Sequence, residues 1–256
     1  MYPNVIIFLI MSRYLIIINY RTLLTLILSI LMPFVAYSFE VIYNIDLTLL
    51  SIAIIFPLVF TIRGAFRRRE KALEYLSRFR ASIKTVINIV ESSPKVQQEE
   101  KNQANAILNA VNQNLFDHLK TKEENFESFD EKVEAFYSFL KEKGELIGNG
   151  TREKALRFFK DTVESADNLI AIHSHRTPVS LKAYCLIFIY IFPVIYTPTI
   201  INKIGYDNPS WLTFFIVILS EFILISLYNI QDQMEYPFDD EGLDDIKFNI
   251  FSVSRK

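Results

Sequence analysis

Apolar residues in this chain gather into four runs almost free of charge. Residues 23–39, 47–62 and 183–201 contain no Asp, Glu, Lys or Arg, and residues 211–230 contain only Glu221. At about 1.5 Å rise per residue, helices of these lengths reach roughly 24–30 Å, close to the ~30 Å hydrocarbon thickness of a bilayer. Helices on the surface of a soluble domain are apolar on one side, whereas these runs are apolar all round, which predicts membrane spans. The first two runs are slightly short, so their helices are expected to take in residues 20–22 and 41–44. Residues 1–20 hold two shorter apolar stretches broken by Ser12 and Arg13. With neither a basic start nor a small-residue cleavage site, they predict an interfacial or protein-packed helix rather than a signal peptide.

The pattern changes after the second run. Ala72, Leu73, Leu76, Phe79, Ile83, Val86 and Val90 recur at intervals of three and four, the helical period, and residues 106–119 and 133–140 repeat it. Pro94 marks a break, residues 144–150 read as a loop, and a further helix is expected from Thr151. Nothing but Gly64 interrupts residues 62–74, so the second span is expected to run on into the first helix of this region. No strand alternation appears. The predicted fold is all-α: an integral membrane protein with four transmembrane helices and a helical cytosolic domain between the second and third spans. The expected divisions are an interfacial segment at 1–20, spans one and two within 21–62, the helical domain at 63–182, spans three and four within 183–230, and an acidic cytosolic tail at 231–256.

Flanking cations orient the spans. Arg13 and Arg21 precede the first, Arg63, Arg67, Arg68, Arg69 and Lys71 follow the second, and His173, His175, Arg176 and Lys182 precede the third. The first–second connection has no Lys or Arg and the third–fourth connection has only Lys203. The positive-inside rule places both termini and the helical domain in the cytoplasm. Tyr37, Tyr43, Tyr196, Tyr206 and Trp211 then fall at the outer ends, where aromatic belts lie.

Composition narrows the chemistry. The net charge of −2 over 256 residues carries no nucleic-acid signature, and the single cysteine excludes an intrachain disulfide or a Cys-rich metal site. No P-loop, nucleophile elbow, zinc-protease or dinucleotide motif occurs, so an enzyme is not expected. His173 and His175, two apart on a helix, point about 200° from one another and make a poor ligand pair. The run from Arg63 to Lys71 is either a membrane stop that attracts anionic lipid or, in a symmetric oligomer, a cationic ring of Arg63, Arg67 and Arg68 that concentrates anions. Glu221, mid-span, must face protein or water. It is either an ion-path carboxylate or a hydrogen-bonded structural one. The acidic stretch 231–245 is either a solvated tail or, through clustered oxygens, a Ca²⁺ site.

Certain short segments resemble the bestrophins, in particular their bacterial homologues. Gln233-Met-Glu235-Tyr-Pro237-Phe238 followed by acidic residues is similar to the family's Glu-x-Pro-Phe segment after the fourth span. Ile62-Arg63 is similar to its Phe-Arg at the inner end of the second, and Thr177-Pro178-Val179 to its Thr-Pro-Ile-Pro before the third. Asp239 stands where the family has glycine, Ser180 where it has a second proline, and charged residues around Glu70 where it has Arg-Trp-Trp. The resemblance implies a homopentameric ion channel in a bacterial inner membrane, its partners lipid and small inorganic ions, passing chloride or other small anions passively. It implies a pore neck at Ile54, Leu58 and Ile62, positions four apart that would otherwise read as packing, and a cytosolic constriction at Val179. No cofactor is expected; the family's animal-type Ca²⁺ clasp maps onto Gln233, Glu241 and Asp244, with Tyr236 where an amide ligand belongs. The alternatives are an ion-coupled secondary transporter using Glu221 and a non-conducting membrane scaffold.

Overall fold

Each of the four apolar runs is a helix in the computed structural model, which describes residues 18–121, 125–239, 242 and 245–253. Residues 1–17 of the expected interfacial segment, and Glu241 and Asp244 of the mapped Ca²⁺ ligands, lie outside them. In chain order the α-helices are α1 (Tyr20–Ser38), α2 (Thr48–Ser92), α3 (Gln98–Lys120), α4 (Glu127–Glu142), α5 (Gly144–Ile147), α6 (Asn149–Ser174), α7 (Val179–Ile204) and α8 (Ser210–Met234). The protein is all-α with four helices long and apolar enough to cross a membrane. It divides into two units, Met1–Arg67 with Thr177–Glu235, and Arg68–Arg176 with Tyr236–Lys256.

The first unit holds α1, the first part of α2, α7 and α8. Its core joins Ile54 and Leu58 of α2, Cys185, Ile189 and Phe192 of α7, and Leu224, Ile225 and Tyr228 of α8. Helix α1 starts where it does because Asn19 caps it. The Asn19 side chain accepts from the N–H groups of Arg21 and Thr22, and Thr22 Oγ1 accepts from the Asn19 N–H in return. The buried face of α1 is Thr22, Thr25, Ser29, Pro33 and Ala36, spaced at three and four. Small residues on such a face let two helices approach closely within a bilayer. At one end of the pair Asn229 Nδ2 donates to Thr22 Oγ1 at 2.9 Å; at the other the Tyr37 and Thr213 hydroxyls meet at 2.9 Å, so α1 and α8 run antiparallel.

Helix α2 is continuous for 45 residues, as the uninterrupted sequence predicted, and Gly64 does not break it. It begins at Thr48 and does not include 41–44. Asp46 sets that start: its Oδ1 accepts from the Thr48 N–H at 2.9 Å and the Thr48 hydroxyl at 2.6 Å.

The second unit packs the remainder of α2 with α3, α4, α5 and α6. Six of the residues picked out by periodicity (Ala72, Leu76, Phe79, Ile83, Val86 and Val90) are fully buried there, while Leu73 is partly covered. The stretch 144–150, expected as a loop, is a single turn followed by a sharp bend at Gly148 (φ +82°), and α6 starts at Asn149 rather than Thr151. The stretch after α8 is more than a solvated acidic tail. Phe238, Ile246, Phe248 and Phe251 are buried in the unit's core, the Phe248 ring lies 4.8 Å from Phe116, and Arg80 Nε donates to the Ser252 carbonyl at 3.1 Å. Apolar side chains interleaved among the carboxylates explain why the segment packs.

Candidate functional site

Charges meet where α1 begins, α7 begins and α8 ends. Lys182 Nζ of α7 contacts Asp232 at 2.6 Å and Glu235 at 2.7 Å, and Arg21 of α1 contacts Asp232 at 2.8 Å. Glu235, just past α8, is almost wholly buried. Its Oε1 accepts the Thr177 N–H at 2.7 Å and its Oε2 accepts from Gln231 Nε2 at 3.2 Å. Asn19 and Asn229 extend the network, with Asn19 Nδ2 donating to Asn229 Oδ1 at 3.1 Å. Two cations, two carboxylates and three amides thus tie three helix ends together. Sequence reading passed over this cluster. A signal existed: Lys182 and Asp232 lie just beyond apolar runs that end on the same predicted membrane face.

The α2 span has two faces. Ile54 and Leu58 are each 1% exposed, packed against α7 and α8, and Ile62 is half-buried against the same cluster. The uncovered face carries Ile52 (53% exposed), Phe56 (61%) and Phe60 (54%), also four apart, with the Phe56 and Phe60 rings 4.8 Å apart edge to face. Arg63 and Arg67 continue the exposed face. Arg68, the third member of the expected cationic ring, is half-buried and donates to the His175 carbonyl at 3.4 Å. A span apolar all round offers no periodicity to say which side packs.

At the opposite end from the charged cluster, a cleft of about 440 Å³ lies beside this uncovered face, lined by Ile52 and Phe56 with Asp46, Thr48, Tyr196 and Lys203 among its walls. The Thr48 hydroxyl and N–H, followed by a smaller contribution from Lys203, hold the Asp46 carboxyl below its ordinary range. The cleft therefore presents one anionic and one cationic group.

Val179 opens α7 after Pro178 and is 81% exposed. Glu221 is fully buried, and among the described residues neither carboxylate oxygen has a hydrogen-bond partner. Of the mapped Ca²⁺ ligands only Gln233 is described, half-buried, and Tyr236 lies under the Arg176 guanidinium at 4.1 Å. Among the described residues no group of His, Cys, Asp and Glu is arranged to hold a metal ion.

An antiparallel α1–α8 pair, α7 packed beside it, a second helix that runs far past its span, and a helical domain between the second and third spans together define a class of four-span membrane protein. The chain has the fold of the bacterial bestrophin homologues. It is similar to the crystal structure of a bacterial bestrophin homologue from Klebsiella pneumoniae, with a TM-score of 0.75 and 13% identity over 91% of this chain and 93% of that one. It is similar too to two single-residue variants of that homologue, with TM-scores of 0.75 and 0.73 at 13% identity, covering 91% of this chain and 94% of each. No family model matches the sequence, and no curated protein matches it.

Proposed function

We propose that this chain is the subunit of a bestrophin-like ion channel, assembled as a homopentamer and passing chloride or other small anions passively. The observation that carries the reading is the uncovered face of α2. Ile52, Phe56 and Phe60 form an apolar stripe that its own chain leaves bare, and the stripe runs into Arg63 and Arg67. Repeated around a symmetry axis, the stripe becomes stacked apolar rings, and narrow apolar rings hold back ions by dewetting. The arginines beyond it become a collar that raises the local anion concentration. The cation asymmetry of the connections supports an orientation with that collar, both termini and the helical domain in the cytoplasm, in a bacterial inner membrane. Val179, exposed at the start of α7, is the second constriction of this reading.

Bilayer recording of the reconstituted protein in asymmetric NaCl tests it. The expected reversal potential lies on the chloride side of zero. Phe56→Ala with Phe60→Ala is expected to raise conductance or open probability severalfold, whereas Ile54→Ala is expected to destabilise the fold without widening a pore. Absence of current from a folded oligomer, or neck variants with unchanged currents, would overturn the proposal.

A further inference from the structure

The register of α1 against α8 can be read from their two terminal contacts, Thr22 with Asn229 and Tyr37 with Thr213. Moving along an antiparallel pair from those contacts brings Glu221 level with Ser29, one turn from Thr25. Both hydroxyls are fully buried, and both have spent their protons on their own helix: Thr25 Oγ1 donates to the Thr22 carbonyl at 2.9 Å and Ser29 Oγ to the Thr25 carbonyl at 2.7 Å. What α1 offers at the level of Glu221 is therefore oxygen lone pairs and no donor. Glu221 is itself fully buried, with neither oxygen hydrogen-bonded among the described residues.

A fully buried carboxylate without a hydrogen bond in an apolar span is among the most costly arrangements a membrane protein can hold. Among the described residues no cation is paired with it. The titratable groups on the elements packed around it are Tyr190 near the middle of α7, with Lys182, Tyr184 and Cys185 towards one end of that helix and Tyr196 and Lys203 towards the other, Tyr20 and Arg21 at one end of α1 with Tyr37 at the other, and Tyr228 and Asp232 on α8 itself. Arg21 is already paired with Asp232, and α2 carries no titratable side chain over residues 48–62. A proton on Glu221 resolves the conflict. It removes the charge and creates the one donor that the lone pairs of Ser29 lack.

We propose that Glu221 is a proton-binding site within the span, occupied when α1 and α8 are packed, so that proton concentration governs the packing of this helix pair. Lowering the proton concentration then loosens the pair, so stability falls as pH rises. Ser29 Oγ is the acceptor of that proton's hydrogen bond.

The test uses the full chain in lipid nanodiscs and reads no ionic current, so its outcome is separate from that of the channel reading. Infrared spectra at pH 7 are expected to show the carbonyl stretch of a buried protonated carboxylic acid, absent in Glu221→Gln. The thermal midpoint of the parent is expected to drop at alkaline pH, while Glu221→Gln, which mimics the protonated form, holds its midpoint. Ser29→Ala, which keeps the carboxyl group and loses its acceptor, is expected to move the alkaline drop to lower pH by about half a unit or more. No acid band in the parent, or an alkaline drop that Ser29→Ala leaves in place, overturns the proposal. So does a saturable stabilisation by NaCl but not choline chloride at fixed pH that Glu221→Gln abolishes, since a monovalent cation would then be the occupant.

Discussion

Replacing Lys182 with alanine removes both cation contacts that Glu235 and Asp232 share. The two carboxylates are not affected equally. Asp232, with 28% of its side chain exposed, keeps Arg21 at 2.8 Å and access to water. The Glu235 side chain is 1% exposed and loses its Lys182 contact, keeping among its donors the neutral Thr177 N–H and Gln231 Nε2. Removing one partner of a buried pair costs about 3–5 kcal/mol. The 18% exposure of Lys182 and these remaining donors place this case at the low end, at about 3 kcal/mol. For a chain of this size that is a fall of roughly 6–12 °C in the thermal midpoint. Differential scanning fluorimetry of the purified protein in detergent reads it. The pair Lys182→Ala with Glu235→Gln closes a double-mutant cycle, and neutralising the stranded carboxylate is expected to recover about 2 kcal/mol. Because the contact is shielded from water, raising NaCl to 1 M should change the parent's midpoint little. A fall under about 2 °C for Lys182→Ala, or strict additivity in the cycle, would refute the assignment of Lys182 as the counter-charge of Glu235.

Two further outcomes concern the second unit. Partial burial, followed by the neighbouring Asp130 carboxylate, raises the Asp167 carboxyl above its ordinary range. Its charged form is thus unfavourable to the fold at neutral pH and that cost disappears as pH falls through the raised value, so Asp167→Asn should melt slightly higher than the parent at pH 7 and converge with it in acid. At Gly148 a Cβ would meet nothing nearer than Lys95 Cδ at 3.7 Å, but φ is +82°, so Gly148→Ala is expected to cost about 1–2 kcal/mol by backbone strain alone. A midpoint equal to the parent's would show that the α5–α6 junction relaxes freely.

The elements were largely legible in the sequence because bilayer thickness and helical period are coarse constraints. Apolar length gave the spans, and the spacing from Ala72 to Val90 gave the buried side of α2 within the helical domain. Inside its span the same helix was not legible in this way, for a physical reason. Where every side chain is apolar, hydrophobicity carries no directional information, and the stripe Ile54–Leu58–Ile62 has the same spacing as Ile52–Phe56–Phe60. Helix starts were misplaced where a side-chain cap decided them, as at Asp46, or where one glycine's backbone did, as at Gly148. The Lys182–Glu235 contact joins residues more than 50 positions apart in the chain, and charge pairing over that separation becomes visible only once α7 and α8 are packed.

The placement of Phe238, Phe248 and Phe251 in the core of the second unit sets an order of events during synthesis. Helices α3 to α6 are translated before the third and fourth spans, yet the aromatic side chains that complete their core are encoded after those spans. At about 5–20 residues per second, the α2–α6 assembly waits several seconds with an open apolar surface while two further spans enter the membrane. The second unit therefore reaches its finished core only after both remaining spans have been translated. A chain stalled before Phe238 would carry an exposed apolar seam, the kind of surface that chaperones and proteases recognise.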